Sequence, residues 1–269
     1  MLNNNGDLNM SLPLMIKAGQ FPGADGSWSK FGTGNVTTAW STVFSAGANP
    51  GLYVYALDGD PSTVAIASTD VDDTALGAGC TTVRVGGLDE LGRDQSETFT
   101  TSGQTPVTGT KLFSRVFRVE NMTLNPGQDC QGQLYVGRSD AVWVGGEPDV
   151  ILGHMNDGYN QSQMVMYTVP KDFTLLVFRV TITTANKTGE AGFYFRNSGL
   201  LDGIQTTWVN KVPYYLSGSP LGIDVQQTPF QVNSGVEFEL RAKADQSVMG
   251  VACNITGVLM PNRYFPKIQ

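Results

Sequence analysis

Glycine and proline interrupt this chain so often that only short regular elements fit between them. There are 32 glycines and 13 prolines in 269 residues, and the runs they leave are rich in Val, Thr and Ile, whose branched side chains favour strands over helices. Val236, Phe238, Leu240 and Ala242 alternate with Glu237, Glu239, Arg241 and Lys243. That period of two predicts a half-buried strand with an apolar face and a charged, solvated face. Met249, Val251, Cys253 and Ile255 repeat the period after a turn at 244–247, which predicts a β-hairpin. The run 173–184 (FTLLVFRVTITT) predicts a long strand covered on both faces, followed by another at 191–195. Further strands are expected at 40–45, 51–57, 63–68, 81–87, 95–101, 111–120, 132–136, 141–144, 163–169, 206–216 and 225–232. Many short strands with frequent turns predict an all-β protein of antiparallel sandwiches, Ig-like or jelly-roll-like.

The turn sequence Gly145-Gly146-Glu147-Pro148 suggests a domain boundary. It divides the chain into an extended N-terminal arm (1–40), a β-sandwich (41–145) and a second sandwich or jelly roll (146–269). The arm has few periodic apolar residues but carries Phe21, Trp28 and Phe31. Aromatic side chains on an arm without its own core predict docking onto another surface, with folding back onto the chain's own domain as the competing expectation.

Charge narrows the partners. The chain carries a net charge of −7 and only 15% charged residues, against about 25% in typical domains. Phosphate neutralisation needs clustered Lys and Arg, and Lys111, Arg115 and Arg118 are spread along one expected strand, so no nucleic-acid partner is expected. No apolar run approaches the ~20 residues of a membrane helix. The N-terminus lacks a basic n-region and is not read as a signal peptide. Cys80, Cys130 and Cys253 include no C-x-x-C pair, so three buried or free thiols are expected rather than a disulfide framework.

A search for reactive chemistry returns little. His154 is the single histidine, which leaves at most one imidazole for a triad and removes histidine-rich metal sites. There is no G-x-S-x-G elbow and no phosphate-cradling G-x-x-x-x-G-K-[ST] loop. Ser27-Trp28-Ser29-Lys30 with Ser139-Asp140 and Lys187-Thr188-Gly189 mimics the order of motifs in penicillin-recognising enzymes, but the first lies in a glycine-rich arm and no helical domain is available to house it. Asp58, Asp60, Asp70, Asp72 and Asp73 are dense enough to raise a calcium site, yet turn chemistry explains them. Trp40, Trp143, Trp208, Tyr214 and Tyr215 are read as core or interface before a sugar-stacking platform. No catalytic, metal or cofactor residues are assigned, and no enzymatic activity is expected.

One segment carries a resemblance. Asp73-Thr74, Gly77, Gly79, Val83, Val85 and Gly87-Leu88-Asp89 are followed by Glu97-Thr98, Gly103, Thr105, Val107, Thr110 and Arg115-Val116. Read physically, this is a β-meander whose third strand runs from Lys111 to Val119. The pattern resembles a segment of virion structural proteins of tailed double-stranded-DNA bacteriophages of marine and cyanobacterial type, most like a head decoration or cement protein. The resemblance implies a protein made in the host cytoplasm that binds the outside of the assembled capsid and stabilises it. Its implied partners are the major capsid protein and further copies of itself, as a homotrimer. A tail, neck or receptor-binding component recognising host surface glycan is the alternative. A glycan-degrading enzyme would need a defined carboxylate pair, and none stands out.

Overall fold

The computed structural model describes residues 15–16, 20–45, 51–123, 128–185, 187–217, 223–224 and 230–265. Besides the helical residues 15–16, their elements are nineteen strands and one 3₁₀ turn, in keeping with the glycine spacing and β-branched runs. In chain order the first eleven strands are β1 (Ser29–Val36), β2 (Ser41–Thr42), β3 (Ser62–Ser68), β4 (Thr82–Leu88), β5 (Asp94–Thr100), β6 (Val107–Phe113), β7 (Arg115–Asn121), β8 (Leu134–Arg138), β9 (Trp143–Val144), β10 (Glu147–Pro148) and β11 (Gly153–Met155). The rest are β12 (Met166–Thr168), β13 (Phe173–Thr184), β14 (Thr188–Asn197), β15 (Val209–Ser217), β16 (Ile223–Asp224), β17 (Phe230–Val232), β18 (Val236–Ala244) and β19 (Met249–Pro261).

Two sandwiches result. In the first, the sheet β11-β8-β3-β6 faces the sheet β5-β4-β7 across a core that includes Val64, Ile66, Val83, Val85, Phe113 and Leu134. In the second, β1-β19-β13, extended by β16 and β17, faces β12-β18-β14-β15, with β2 also on β18. Its core joins Val177, Val180, Phe193, Phe238, Leu240 and Val251.

The pairing corrects the expected division of the chain. Residues 29–36 are not a free arm: they form β1, antiparallel to β19 with Ser29 opposite Thr256. β2 pairs with β18. The chain therefore starts the second sandwich, leaves it to build the first, and re-enters it at β12. The expected boundary at Gly145-Gly146 is the turn between β9 and β10, with both glycines at positive φ, where a side chain is strained. β11 still pairs with β8 of the first sandwich, so the crossover lies between 155 and 166. Residues 1–14 and 17–19 of the expected arm lie outside the described residues.

Two expected connections also differ. β18 and β19 do not pair as a hairpin. They belong to opposite sheets, and Phe238, Leu240 and Ala242 of one face Met249, Val251 and Cys253 of the other across one core. Period-two alternation identifies an inward face, and that face is the same for a hairpin and for an arch between sheets. The meander is likewise replaced. β4 is central, with β5 and β7 on its two edges. The expected strand 111–120 is broken at Ser114, whose N–H and hydroxyl both reach the Leu88 carbonyl, the hydroxyl also donating to Asp89 O at 2.6 Å. β6 before the break pairs with β3 in the other sheet. Residues 51–57 form no strand and lie over β18 and β2 instead, with the Tyr53 N–H donating to Thr42 Oγ1 at 2.9 Å.

Candidate functional site

On the face of β18 expected to be solvated, both acids are buried: Glu237 is 0% and Glu239 1% exposed. Isolated carboxylates do not survive such burial without partners, and the crossing of the two sandwiches supplies them. Arg115, at the start of β7 in the first sandwich, donates from Nε at 3.2 Å and from Nη2 at 3.0 Å to the two oxygens of Glu237. Arg196 on β14 donates to Glu237 Oε1 at 3.0 Å and to Asp58 Oδ2 at 2.7 Å. Asp58 also ion-pairs with Arg115. Two arginines and two acids, drawn from both sandwiches and the segment between them, thus form a closed ring. Planar guanidinium forks suit such bidentate bonding better than lysine does. Beside the ring, Glu239 pairs with Arg241 and accepts from Thr42 Oγ1 at 3.1 Å and Tyr55 Oη at 3.2 Å. Burial pushes the Glu239 carboxyl above the usual carboxylate range, against the pull of Arg241.

A second cation bridges the sandwiches from the other side. Lys30 on β1 donates its ammonium to the Phe117 carbonyl of β7 and lies 4.8 Å from the Phe117 ring centre. It lines an open cleft of about 260 Å³ with Asp25, Arg84, Asp94, Arg118 and Glu120. Burial, reinforced by Arg118, lowers its pKa to about 7, and burial raises the Asp94 carboxyl above its usual range. The lysine's ammonium is committed to that carbonyl.

The third buried polar centre lies in the segment 73–119. Asp73 is fully buried. It accepts from the Ser68 hydroxyl at 2.6 Å and from the backbone N–H groups of Cys80 (2.9 Å), Gln131 (3.0 Å) and Gly132 (3.0 Å). It does far more than cap a turn, because it ties the end of β3 to the segments that lead into β4 and β8. Cys80 and Cys130 meet beside it with their sulfurs 2.6 Å apart. Asp73, Cys80 and Cys130 are the one cluster among the described residues with the donors of a metal site, and the sequence reading missed it because fifty positions separate the cysteines. Cys253 is remote from them, in the core of the second sandwich.

The remaining expected residues scatter. Trp28 is 7% exposed and sits in the second core, edge-on to Tyr167 at 5.1 Å, so it is not free to dock elsewhere. Phe21 packs edge-on against Tyr264 at 5.2 Å. Phe31 alone of the three is exposed, at 37%. Trp28 and Phe21 thus pack on the chain's own residues, while Phe31 stands exposed. His154 is buried against Tyr135, with Nδ1 3.3 Å from the Ser45 hydroxyl and no partner on Nε2 among the described residues. Among the described residues no carboxylate orients it, and burial lowers its pKa to about 4. Among the clustered acids, Asp58 joins the ring, Asp60 pairs with Arg138 at 2.8 Å, and Asp70 accepts from the Asp72 N–H. They do not converge as a calcium site would require. The aromatic platform is also dispersed: Tyr214 lies in the core, Trp208 is covered by Arg196 and Arg241, and Tyr215 stands exposed.

Fold and geometry define an all-β protein of two sandwiches welded by buried ions. No family model matches the chain, and no curated protein does. Among solved structures it is similar to infectious bursal disease virus of the Gx strain, at 10% identity over 89% of this chain and 72% of that chain with a TM-score of 0.22. The VP2 subviral particle of that virus aligns at 12% identity over 90% and 83% of the two chains, with a TM-score of 0.11. Superpositions this loose carry nothing about this chain's role.

Proposed function

We propose that this chain is a non-enzymatic structural protein of a virus particle, and more specifically a decoration or cement protein on the outer surface of a tailed-phage capsid. The supporting observation is a set of exposed aliphatic side chains at one end of the first sandwich. Leu76 is 100% exposed, Val144 76%, Val142 66% and Val71 65%. Val71 and Leu76 lie in the loop after β3, and Val142 and Val144 flank Trp143 at β9. Gly146 packs so closely on the Ser68 carbonyl that an added Cβ would fall 1.9 Å from it, so both loops leave the sandwich at the same end. Four exposed aliphatic side chains on loops at that end suit binding by area and complementarity rather than by reactive groups. The loop bearing Val71 and Leu76 overlaps the segment that resembles phage virion proteins. The occupant in this reading is the capsid shell, and the bound form is a homotrimer.

The test is the copy number and radial position of this chain in purified particles. Many copies in proportion to the shell protein, at the outer radius, fit the reading; copies near six or twelve sink it. Leu76→Asp and Val144→Asp should abolish rebinding to stripped particles while leaving the melting temperature of the free protein unchanged. Stripped particles should lose resistance to heat, and regain it with the wild-type protein only.

A further inference from the structure

We propose that Cys80 and Cys130 close a disulfide, an oxidation-dependent cross-link between the two sheets of the first sandwich. Cys80 leads into β4 of the three-stranded sheet, and Cys130 leads toward β8 of the four-stranded sheet. Both are at most 2% exposed, and their sulfurs stand 2.6 Å apart. Non-bonded heavy atoms normally rest at roughly 3.5–4 Å. Two thiolates on one zinc, each bonded at about 2.3 Å in a tetrahedral arrangement, are held roughly 3.7 Å apart. A disulfide needs about 2.05 Å. The observed spacing is therefore nearer the covalent bond than either alternative.

The approach is built into the backbone. Asp73 holds the Cys80 N–H on one strand lead and the Gln131 and Gly132 N–H groups on the other. One carboxylate thus fixes the position of both cysteines. Its two oxygens are already engaged by those three groups and by Ser68, which leaves no natural role for it as a metal ligand. Small glycines give the knot its room: a Cβ on Gly79 would meet Asp73 Oδ1 at 2.0 Å, and one on Gly132 would meet the Asp70 backbone at 2.5 Å.

The oxidant is a small-molecule disulfide such as glutathione disulfide. One cysteine thiolate attacks it, forming a mixed disulfide and releasing one thiol. The second cysteine, losing its proton to water, attacks the protein-bound sulfur and releases the other. Two protein thiols and one disulfide become one protein disulfide and two small thiols. The hydrogen bond between the thiols, together with burial, pushes the Cys80 thiol up, so exchange in the closed fold is slow and proceeds through opening or during folding. In a reducing compartment both remain thiols; the bond belongs to the chain once it meets an oxidising medium.

The experiment uses the full chain purified under reductant, then incubated with glutathione disulfide both natively and during refolding. Thiol labelling in denaturant should fall from three groups to one, with intact mass lower by two hydrogens and a Cys80–Cys130 peptide after digestion. Closure of a loop of about fifty residues should raise the melting temperature by roughly 10 °C, reversibly on reduction. Cys253→Ser should behave identically, apart from retaining no labelled group. Three labelled thiols after oxidative refolding, a cross-linked peptide containing Cys253, or a stoichiometric zinc released on thiol modification would each overturn the proposal.

Discussion

The buried ring around Glu237 makes the sharpest demand on experiment. Glu237→Gln keeps the size of the side chain and removes its charge. The carboxylate accepts three guanidinium hydrogen bonds, two from Arg115 and one from Arg196. An amide in its place turns one acceptor into a donor that faces those donors. Hydrogen bonds to charged groups are worth about 1.5–3 kcal/mol each, but Asp58 remains to hold both arginines, so the losses will not simply add. Breaking one partner out of a buried ion pair costs about 3–5 kcal/mol, and the lower half of that range is expected here. The assay is urea unfolding followed by tryptophan fluorescence, with calorimetry alongside. Because the ring joins β7 of the first sandwich to β14 and β18 of the second, the calorimetric transition should also broaden or split as the sandwiches uncouple. A cycle with Arg115→Met should show the double variant costing at least about 1–2 kcal/mol less than the sum of the singles. A loss below about 1 kcal/mol, with one cooperative transition and additive singles, would refute the claim that the ring welds the sandwiches.

Other outcomes follow from the same structure. The unfolded chain protonates His154 near its ordinary pKa of 6.5, whereas burial holds the folded value at about 4. The unfolded state therefore binds more protons between those values, and stability should fall by up to about 3 kcal/mol as pH drops through that window. His154→Gln should flatten that dependence in urea titrations at pH 4.5 and 6.5. Lys30 works in the opposite range: with its folded pKa lowered to about 7 from 10.5, its contribution should make stability rise by about 1.4 kcal/mol per pH unit from 7 towards 9. Lys30→Met should lack that slope. Asp73→Asn should cost at least about 3 kcal/mol, since a fully buried carboxylate accepting four hydrogen bonds is replaced by a group that accepts at one atom only. Trp28→Ala should cost about 3–5 kcal/mol and Phe31→Ala under about 1 kcal/mol, read as shifts in thermal midpoint; equal small losses would return Trp28 to a free arm.

The alternation of side chains settled which residues make strands and which side of each looks inward. The strands at 82–88, 94–100, 173–184 and 188–197 overlap those expected at 81–87, 95–101, 173–184 and 191–195, the last starting inside the expected loop, because strand formation and facing are local properties. Pairing partners are not local. The same inward row on β18 serves a hairpin or an arch to the opposite sheet, and only the closed second sandwich selects the arch. β1 reads as an arm because its partner β19 lies more than two hundred residues downstream. Glu237 and Glu239 read as solvated because nothing near them in the chain announces Arg115, Arg196 and Arg241 as partners; Arg115 comes from the other sandwich. Cys80 and Cys130 read as unrelated for the same reason. By itself the sequence determined an all-β chain of antiparallel strands. The tertiary structure decided its contacts: burial changes the energy of a charge or a thiol only after distant segments have excluded water from around it.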